Sequence, residues 1–260
     1  MTYAREIHSH GISHIDEEGN MHYDDGRVWN HGVCINSIVS GCHNPVDWQT
    51  GGTSYCRKCA AEYDAECEAE RKRDQFDRMI ADSMSMGLIP RAVANYRERG
   101  LYHWQSNALN ELRANRDRCA WLQDIPGAGK SEVGIILVHT ALRYGVPAAF
   151  VDCAGTGFQD VMRQHNTRTA LERVKLLVLD DISKMTVTDY AAGELHNVLT
   201  ARNQAKLRTV VIDEKTGNEF AKMLASKTDG RFGNSVVDRL NWKGGQCVAI
   251  AMQGENIRRK

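Results

Sequence analysis

The sequence predicts an α/β protein with a mostly parallel central sheet and helices on both faces, preceded by a small cysteine-rich module and a long helix. Three observations predict it. After residue 90, short apolar runs alternate with helix-like segments, the pattern of successive βαβ units. The stretch "DIPGAGKS", residues 124–131, sits between one such run and one such segment. Five of the eight cysteines fall before residue 70 of the 260-residue chain.

Composition narrows the class. Hydrophobic residues make up 42% and charged residues 25%, ordinary values for a globular domain. The formal net charge is zero, so no global basic field draws the chain onto nucleic acid. Any DNA contact has to come from a local patch. The opening "MTYAREIHSH" has no apolar core and does not read as a signal peptide. No run approaches the roughly 18–20 apolar residues of a membrane span. A cytoplasmic location with no membrane partner is expected, where cysteines serve as thiols or metal ligands rather than disulfides. Cys119, Cys153 and Cys247 stand beside apolar residues and read as core thiols.

The elements follow in order. Residues 1–55 are rich in His, Gly and Asp. "DEEGNMHYDDGRVW" reads as a hairpin and "INSIV" as a strand-like run. His8, His10, His14 and His22 lie on polar segments and read as solvated. From Cys56 to Met84 there is no Gly or Pro, and helix formers dominate. Tyr63, Cys67, Phe76, Met79, Ile80 and Met84 give this charged helix a thin apolar stripe. "MGLIP" stops it, because the residue before Pro90 disfavours helical geometry. Beyond it, "HWQSNALNELRAN" reads as a helix and "CAWLQD" as a buried strand. "KSEVGIILVHTALRYG" reads as a helix ended by Gly145. "PAAFVDC", "VKLLVLDD", "LRTVVID" and "QCVAIAM" read as strands, and "FQDVMRQH", "VTDYAAGELHNVLTARNQA" and "NEFAKMLA" as the helices between them. The expected division is a zinc-binding module over 1–60, a linker helix over 61–86 and a nucleotide-binding domain over 87–260.

The strand, glycine loop and helix around residues 119–143 are in the order phosphate binding needs. Loop N–H groups of Gly127, Ala128 and Gly129 can point inward at phosphate oxygens, and the helix N-terminus adds partial positive charge. Lys130 is expected to reach the β- and γ-phosphates of ATP, and Ser131 to ligate Mg²⁺. The departure is Asp124, where the common G-x-x-x-x-G-K-[ST] pattern has Gly. Gly there serves a positive φ or a close contact. Asp tolerates left-handed geometry better than most residues, so the loop is expected to form. Its carboxylate is unfavourable near phosphates unless it turns away. The second half of the site is "LLVLDD", a strand ending in two acids about 50 residues after Lys130. Ligands in such sheets lie at the carboxyl ends of strands. Asp180 is expected to hold Mg²⁺ and Asp181 to orient or deprotonate the attacking water.

With these motifs in hand, residues 87–258 resemble the DnaC/IstB-like branch of the AAA+ ATPases, bacterial and phage helicase loaders and transposase helpers. "GLIPRAVANY" resembles the family's lead-in, "PGAGKSE" and "LLVLDD" its Walker A and B motifs, "VVDRL" its arginine-finger segment and "GENIRR" its C-terminal sensor motif. The resemblance implies a P-loop AAA+ three-layer sandwich. It implies that Arg239 reaches the γ-phosphate held by a neighbouring copy, so that the protein self-associates through the ATP site, and that Arg258 senses nucleotide in cis. It also implies a replicative DNA helicase and single-stranded DNA as partners, with the region before the ATPase core gripping the helicase. The family usually has Thr or Asn at the end of its fourth core strand. Here "TVVIDEK" puts Asp213 or Glu214 there, and this acid together with Asp124 predicts slow hydrolysis.

Cys56-x2-Cys59 opens the long helix, a common way to present two thiolates to Zn²⁺. Cys34 and Cys42 complete an all-thiolate set, while His31, His43 and Cys67 remain alternative ligands. Residues 1–55 have few large apolar residues, so a structural metal would supply stability they lack. Arg163, Arg168, Arg173 and Lys175 form a candidate DNA-facing group or a solvated face. The leading expectation is an ATP-dependent helicase loader with a zinc head. Its rivals are a transposition helper that binds duplex DNA and a zinc-dependent adaptor with a vestigial ATP site.

Overall fold

The computed structural model describes residues 12–15, 17, 20–24, 26, 28–29, 34, 42, 48–50, 53–164, 166–241 and 247–257. The chain forms two units, Met1–Asp74 and Gln75–Lys260. In the first, β1 (Ile12–Ile15), β2 (Met21–Tyr23) and β3 (Val28–Trp29) form an antiparallel meander. Its second turn is the hairpin that the Asp-Gly-rich sequence predicts. Strands β4 (Trp48–Thr50) and β5 (Thr53–Tyr55) pair as a second hairpin. The strand-like "INSIV", together with His8, His10, His31 and His43, lies outside the described residues. His22 is half-buried in β2 rather than solvated.

Helix α1 (Arg57–Ser85) matches the Gly- and Pro-free stretch almost residue for residue. Within the second unit its Phe76, Met79 and Ile80 pack, partly buried, against an apolar core, whereas Met84 is exposed. Among the described residues, no helix is long and apolar enough to cross a membrane.

The second unit continues with α2 (Arg91–Ala94), α3 (His103–Ala114), β6 (Ala120–Gln123), α4 (Lys130–Arg143), β7 (Ala148–Asp152), α5 (Gly157–Met162), α6 (Thr167–Arg173) and β8 (Leu176–Asp180). After a 3-10 turn at Ile182–Lys184 come α7 (Asp189–Gln204), β9 (Arg208–Asp213), α8 (Gly217–Lys227), α9 (Gly233–Asp238) and β10 (Val248–Ala251). The strands and longer helices fall where periodicity puts them. Helices α6 and α9, of seven and six residues, are too short to show a period and are additions to the reading.

All five strands run parallel in the order β10-β6-β9-β8-β7. Alternation along each strand divides the core in two. Leu176, Val178, Val210, Ile212, Ala120 and Leu122 face one way, into a cluster closed by α3 and α4. Leu177, Leu179, Val211 and Trp121 face the other way, into a cluster closed by α5 to α9. The result is a three-layer sandwich whose strands are buried on both faces. At Gly134, α4 comes so close to the sheet that an added Cβ would lie 2.5 Å from Ile212, 3.0 Å from Phe150 and 3.1 Å from Val178. This close seat fixes the helix whose first turn carries Lys130 and Ser131.

Candidate nucleotide site and cysteine cluster

Parallel register sets the site. Gln123 pairs with Asp213 and Asp180 with Ile212, so the strand ends carrying the acids finish at one edge of the sheet. The loop 124–129 leaves β6 at that edge and enters α4. Gly127 and Gly129 have φ of 81° and 87°, the left-handed region that favours glycine. The Lys130 ammonium donates to the carbonyls of Asp124 (2.7 Å) and Ile125 (2.8 Å) inside its own loop. Burial lowers its pKa, with Glu214 and Asp124 opposing.

Asp124 behaves differently from the expectation. It is not among the positive-φ residues, so its tolerance of left-handed backbone plays no part. Its carboxylate is held on backbone donors: Oδ1 accepts from the Ile125 N–H at 2.7 Å and Oδ2 from the Gly254 N–H at 2.6 Å. The position that needs left-handed tolerance is Asp181, at φ 52°.

The remaining acids are each handled in their own way. Asp180 is buried, and its Oδ1 has no hydrogen-bond partner among the described residues. Burial raises its pKa from the ordinary 3.8 to about 6, opposed by a hydrogen bond from Ser131. Asp213 is fully buried and accepts from the Ser183 N–H (2.6 Å) and the Lys215 N–H (2.8 Å). Of the two candidates at that strand end it is therefore Glu214 that lines the cleft. Lys184, which sequence reasoning missed, bridges Asp181 Oδ1 (3.0 Å) and Glu214 Oε1 (2.6 Å). Its pairing with Lys184 holds the Glu214 carboxyl below the usual range. The cleft, about 270 Å³, is lined by Gly127, Gly129, Lys130, Ser131, Asp181 and Glu214 among others.

Two further segments brace the loop. From α3, Trp104 Nε1 donates to the Ala128 carbonyl at 3.1 Å, and Gln105 Nε2 to the Gly129 carbonyl and to Glu132, each at 3.2 Å. From the C-terminal side, Met252 N–H bonds the Gln123 carbonyl and Ile257 N–H the Gly127 carbonyl, both at 3.0 Å. The sensor-like "GENIRR" segment thus runs along the loop as far as Ile257, and Arg258 lies outside the described residues. Arg239 follows α9, half-buried, and does not line the cleft. Its Nε is buried without a hydrogen-bond partner, and among the described residues it makes no ion pair with Asp238. The proposed DNA-facing group is partly neutralised: Arg168 pairs with Glu172 (2.9 Å) and Glu194 (3.2 Å), and Arg163 with Asp160 (3.4 Å).

In the first unit, the sulfurs of Cys34, Cys42, Cys56 and Cys59 lie within 4.8 Å of one another. Cys42 Sγ is 3.7 Å from both Cys56 Sγ and Cys59 Sγ. Four sulfurs at ~2.3 Å from a tetrahedral ion stand about 3.8 Å apart. A disulfide would need ~2.05 Å. The set can therefore hold a metal ion. Cys56 and Cys59 sit at the start of α1, where the helix dipole and Arg57 and Lys58 favour thiolates. Tyr23, Tyr55 and Ala60 bury the cluster, and Tyr63 stacks on Tyr55 at 5.5 Å. Cys67 is half-buried and stands outside the set. Cys119 and Cys153 are core thiols as expected, while Cys247 is half-buried.

No protein-family profile matches the chain. Among curated proteins, 125 residues are 27% identical to adenylyl-sulfate kinase of Emericella nidulans, covering 45% of this chain and 59% of that protein. The chain thus spans less than two thirds of this relative's length. Among solved structures, DnaI is similar with a TM-score of 0.51 and 14% identity, over 64% of this chain and 97% of that one. The DnaC helicase loader has a TM-score of 0.41 and 14% identity, over 61% and 95%. DnaA of Aquifex aeolicus bound to AMPPCP has a TM-score of 0.43 and 16% identity, over 61% and 49%. At such identities the likeness is one of fold. The chain shares the fold of DnaI, a parallel five-stranded sheet between two layers of helices, preceded in sequence by a four-cysteine cluster and a long helix.

Buried Asp180 and half-buried Asp124 each lead to a test. Between pH 3.8 and about 6 the folded chain holds a proton on Asp180 that the unfolded chain has lost, so stability falls as pH rises through this window. In protein stripped of divalent cations, Asp180→Asn is expected to raise stability at pH 8 by up to about 3 kcal/mol, with the gain vanishing below about pH 4. Urea midpoints across pH check this. Asp124→Ala removes the acceptor of the Gly254 N–H. Amide exchange over residues 252–257 is expected to quicken about tenfold or more, read by hydrogen–deuterium exchange.

Proposed function

We propose that the protein is a AAA+ Mg-ATP hydrolase that loads a replicative DNA helicase onto single-stranded DNA. In this reading residues 87–260 are the ATPase domain, 61–86 a linking helix and 1–60 a zinc-binding module that contacts the helicase. The observation that carries the hydrolase part is a buried Asp180 whose Oδ1 has no hydrogen-bond partner among the described residues. A buried, unpartnered carboxylate oxygen is costly without a cation. Ser131 and Asp180 therefore fit Mg²⁺ and would hold it; when bound, it screens the charge of the phosphates.

The chain's own residues supply the rest. Lys130 exchanges the Asp124 and Ile125 carbonyls for phosphate oxygens, and the loop N–H groups turn to the same ligand. Asp181 takes a proton from the attacking water as its oxygen bonds the γ-phosphorus and the bridging oxygen leaves with ADP. Arg239, with no ion-pair partner among the described residues, serves the site of a neighbouring copy, and Arg258 the site in cis. The helicase and single-stranded DNA enter through the motif order of residues 87–258, supported by the DnaI-like fold. The four-sulfur geometry supports zinc in the first unit.

One observation favours a second reading, a zinc-dependent adaptor with a vestigial ATP site: Glu214 brings an acid to the phosphate cleft. Lys130→Ala separates the two. The loader reading expects the unaltered chain, but not the variant, to bind ATP in a calorimetric titration and to form an ATP-dependent complex with the same organism's helicase in size-exclusion with mass detection. A complex indifferent to ATP and to Lys130 would select the adaptor; no complex at all would sink the loader. Metal analysis of protein purified without added zinc is expected to give about one zinc per chain, lost with partial unfolding of the first unit in Cys59→Ser.

A further inference from the structure

We propose that Lys184 is the residue by which this site tells a triphosphate from a diphosphate, exchanging its two carboxylate partners for the terminal phosphate. The proposal rests on the ATPase reading above and adds a residue that the motifs do not contain.

Arg99, Lys130 and Lys184 line the cleft against Glu132, Asp181 and Glu214. Arg99 is held by Glu132, and Lys130 by its own loop carbonyls. Lys184 is the ion-pair partner of the two acids at the far wall, at 3.0 Å from Asp181 and 2.6 Å from Glu214, with Lys130 and Lys215 acting on Glu214 from further off. Without Lys184 the charges lining the cleft sum to net negative, and a polyanion entering it meets two carboxylates that have lost their ion pair.

The Lys184 backbone is fixed by its own 3-10 turn and by the loop that follows β7. Its N–H donates to the Asp181 carbonyl and its carbonyl accepts from the Gly155 N–H, both at 3.0 Å. The preceding Ser183 N–H is held by buried Asp213 at 2.6 Å. The side chain, by contrast, is nearly half exposed, at 45%. Ion pairs that open to water are weak and exchange readily, and a lysine stem is flexible. A fixed backbone with a free ammonium suits a residue that changes partners within one site.

A terminal phosphate that draws Lys184 away leaves Asp181 in the cleft without its ion pair. The same residue would thereby admit the triphosphate and free Asp181 only when it is present. Glu214, which is unfavourable beside a phosphate on its own, becomes the resting partner that parks the ammonium.

The test is calorimetric titration of ATP and of ADP, each with Mg²⁺, into the unaltered full chain, Lys184→Ala, Lys184→Arg and the double variant Lys184→Ala/Glu214→Gln. Lys184→Ala is expected to weaken ATP about tenfold or more and ADP less than about threefold. Lys184→Arg should keep most of the discrimination, and adding Glu214→Gln should recover part of the lost ATP affinity. Thermal melts verify that each variant is folded. Equal weakening of ATP and ADP, or none, in a folded Lys184→Ala would overturn the proposal while leaving the ATPase reading intact. If the unaltered chain binds neither nucleotide, the ATPase reading fails and this proposal fails with it.

Discussion

Parallel hydrogen bonding aligns Gln123 with Asp213 and Asp152 with Asp180, and every feature of the nucleotide site inherits that register. A slip of one residue would carry Asp180 out of line with Ile212 and put Leu179 in its place. The register is held by the two-sided core. Leu176 and Val178 pack on one face, and Leu177 and Leu179 on the other, each side chain contributing about 1.5–3 kcal/mol by burial. Gly134 lets α4 sit close enough for its first turn to reach this edge.

Concentrating acids at one sheet edge has an electrostatic cost, and the structure meets it residue by residue. Asp213 and Asp124 are satisfied by backbone N–H groups and become structural. Asp181 and Glu214 share Lys184. Asp180 alone keeps a buried oxygen without a partner, with a pKa raised to about 6. A carboxylate left in this condition is where a cation is most strongly favoured. The departure of Asp124 from the common loop pattern thus has a physical account: the carboxylate ties the loop to the C-terminal segment through Gly254 instead of facing the phosphates.

The first unit faces a different problem. Its strands are two to four residues long, too short to build an independent core. Its buried cluster consists mainly of three cysteines, two tyrosines and an alanine. Among the described residues, sulfurs at tetrahedral-edge spacing give this unit a set that could hold a metal ion and so add cohesion that its apolar area does not supply.

The sequence by itself determined the strand and helix order, the loop with Lys130 and Ser131, the acids Asp180 and Asp181, and the Cys56-x2-Cys59 pair, with Cys34 and Cys42 as one of its candidate completions. Each rests on local information: period, turn chemistry or spacing along the chain. Tertiary structure alone decided which acids face the cleft. Nothing local separates Asp213 from Glu214, since one is buried on backbone donors and the other turned outward by the strand's alternation. Lys184, Trp104 and Gln105 were invisible for the same reason. Lys184 reaches across to Glu214 just past the end of β9, and Trp104 and Gln105 act on the loop from α3, through contacts between elements distant in sequence. Side-chain pairing of that kind depends on how the strands line up in space, and that is fixed only when the two faces of the sheet are packed.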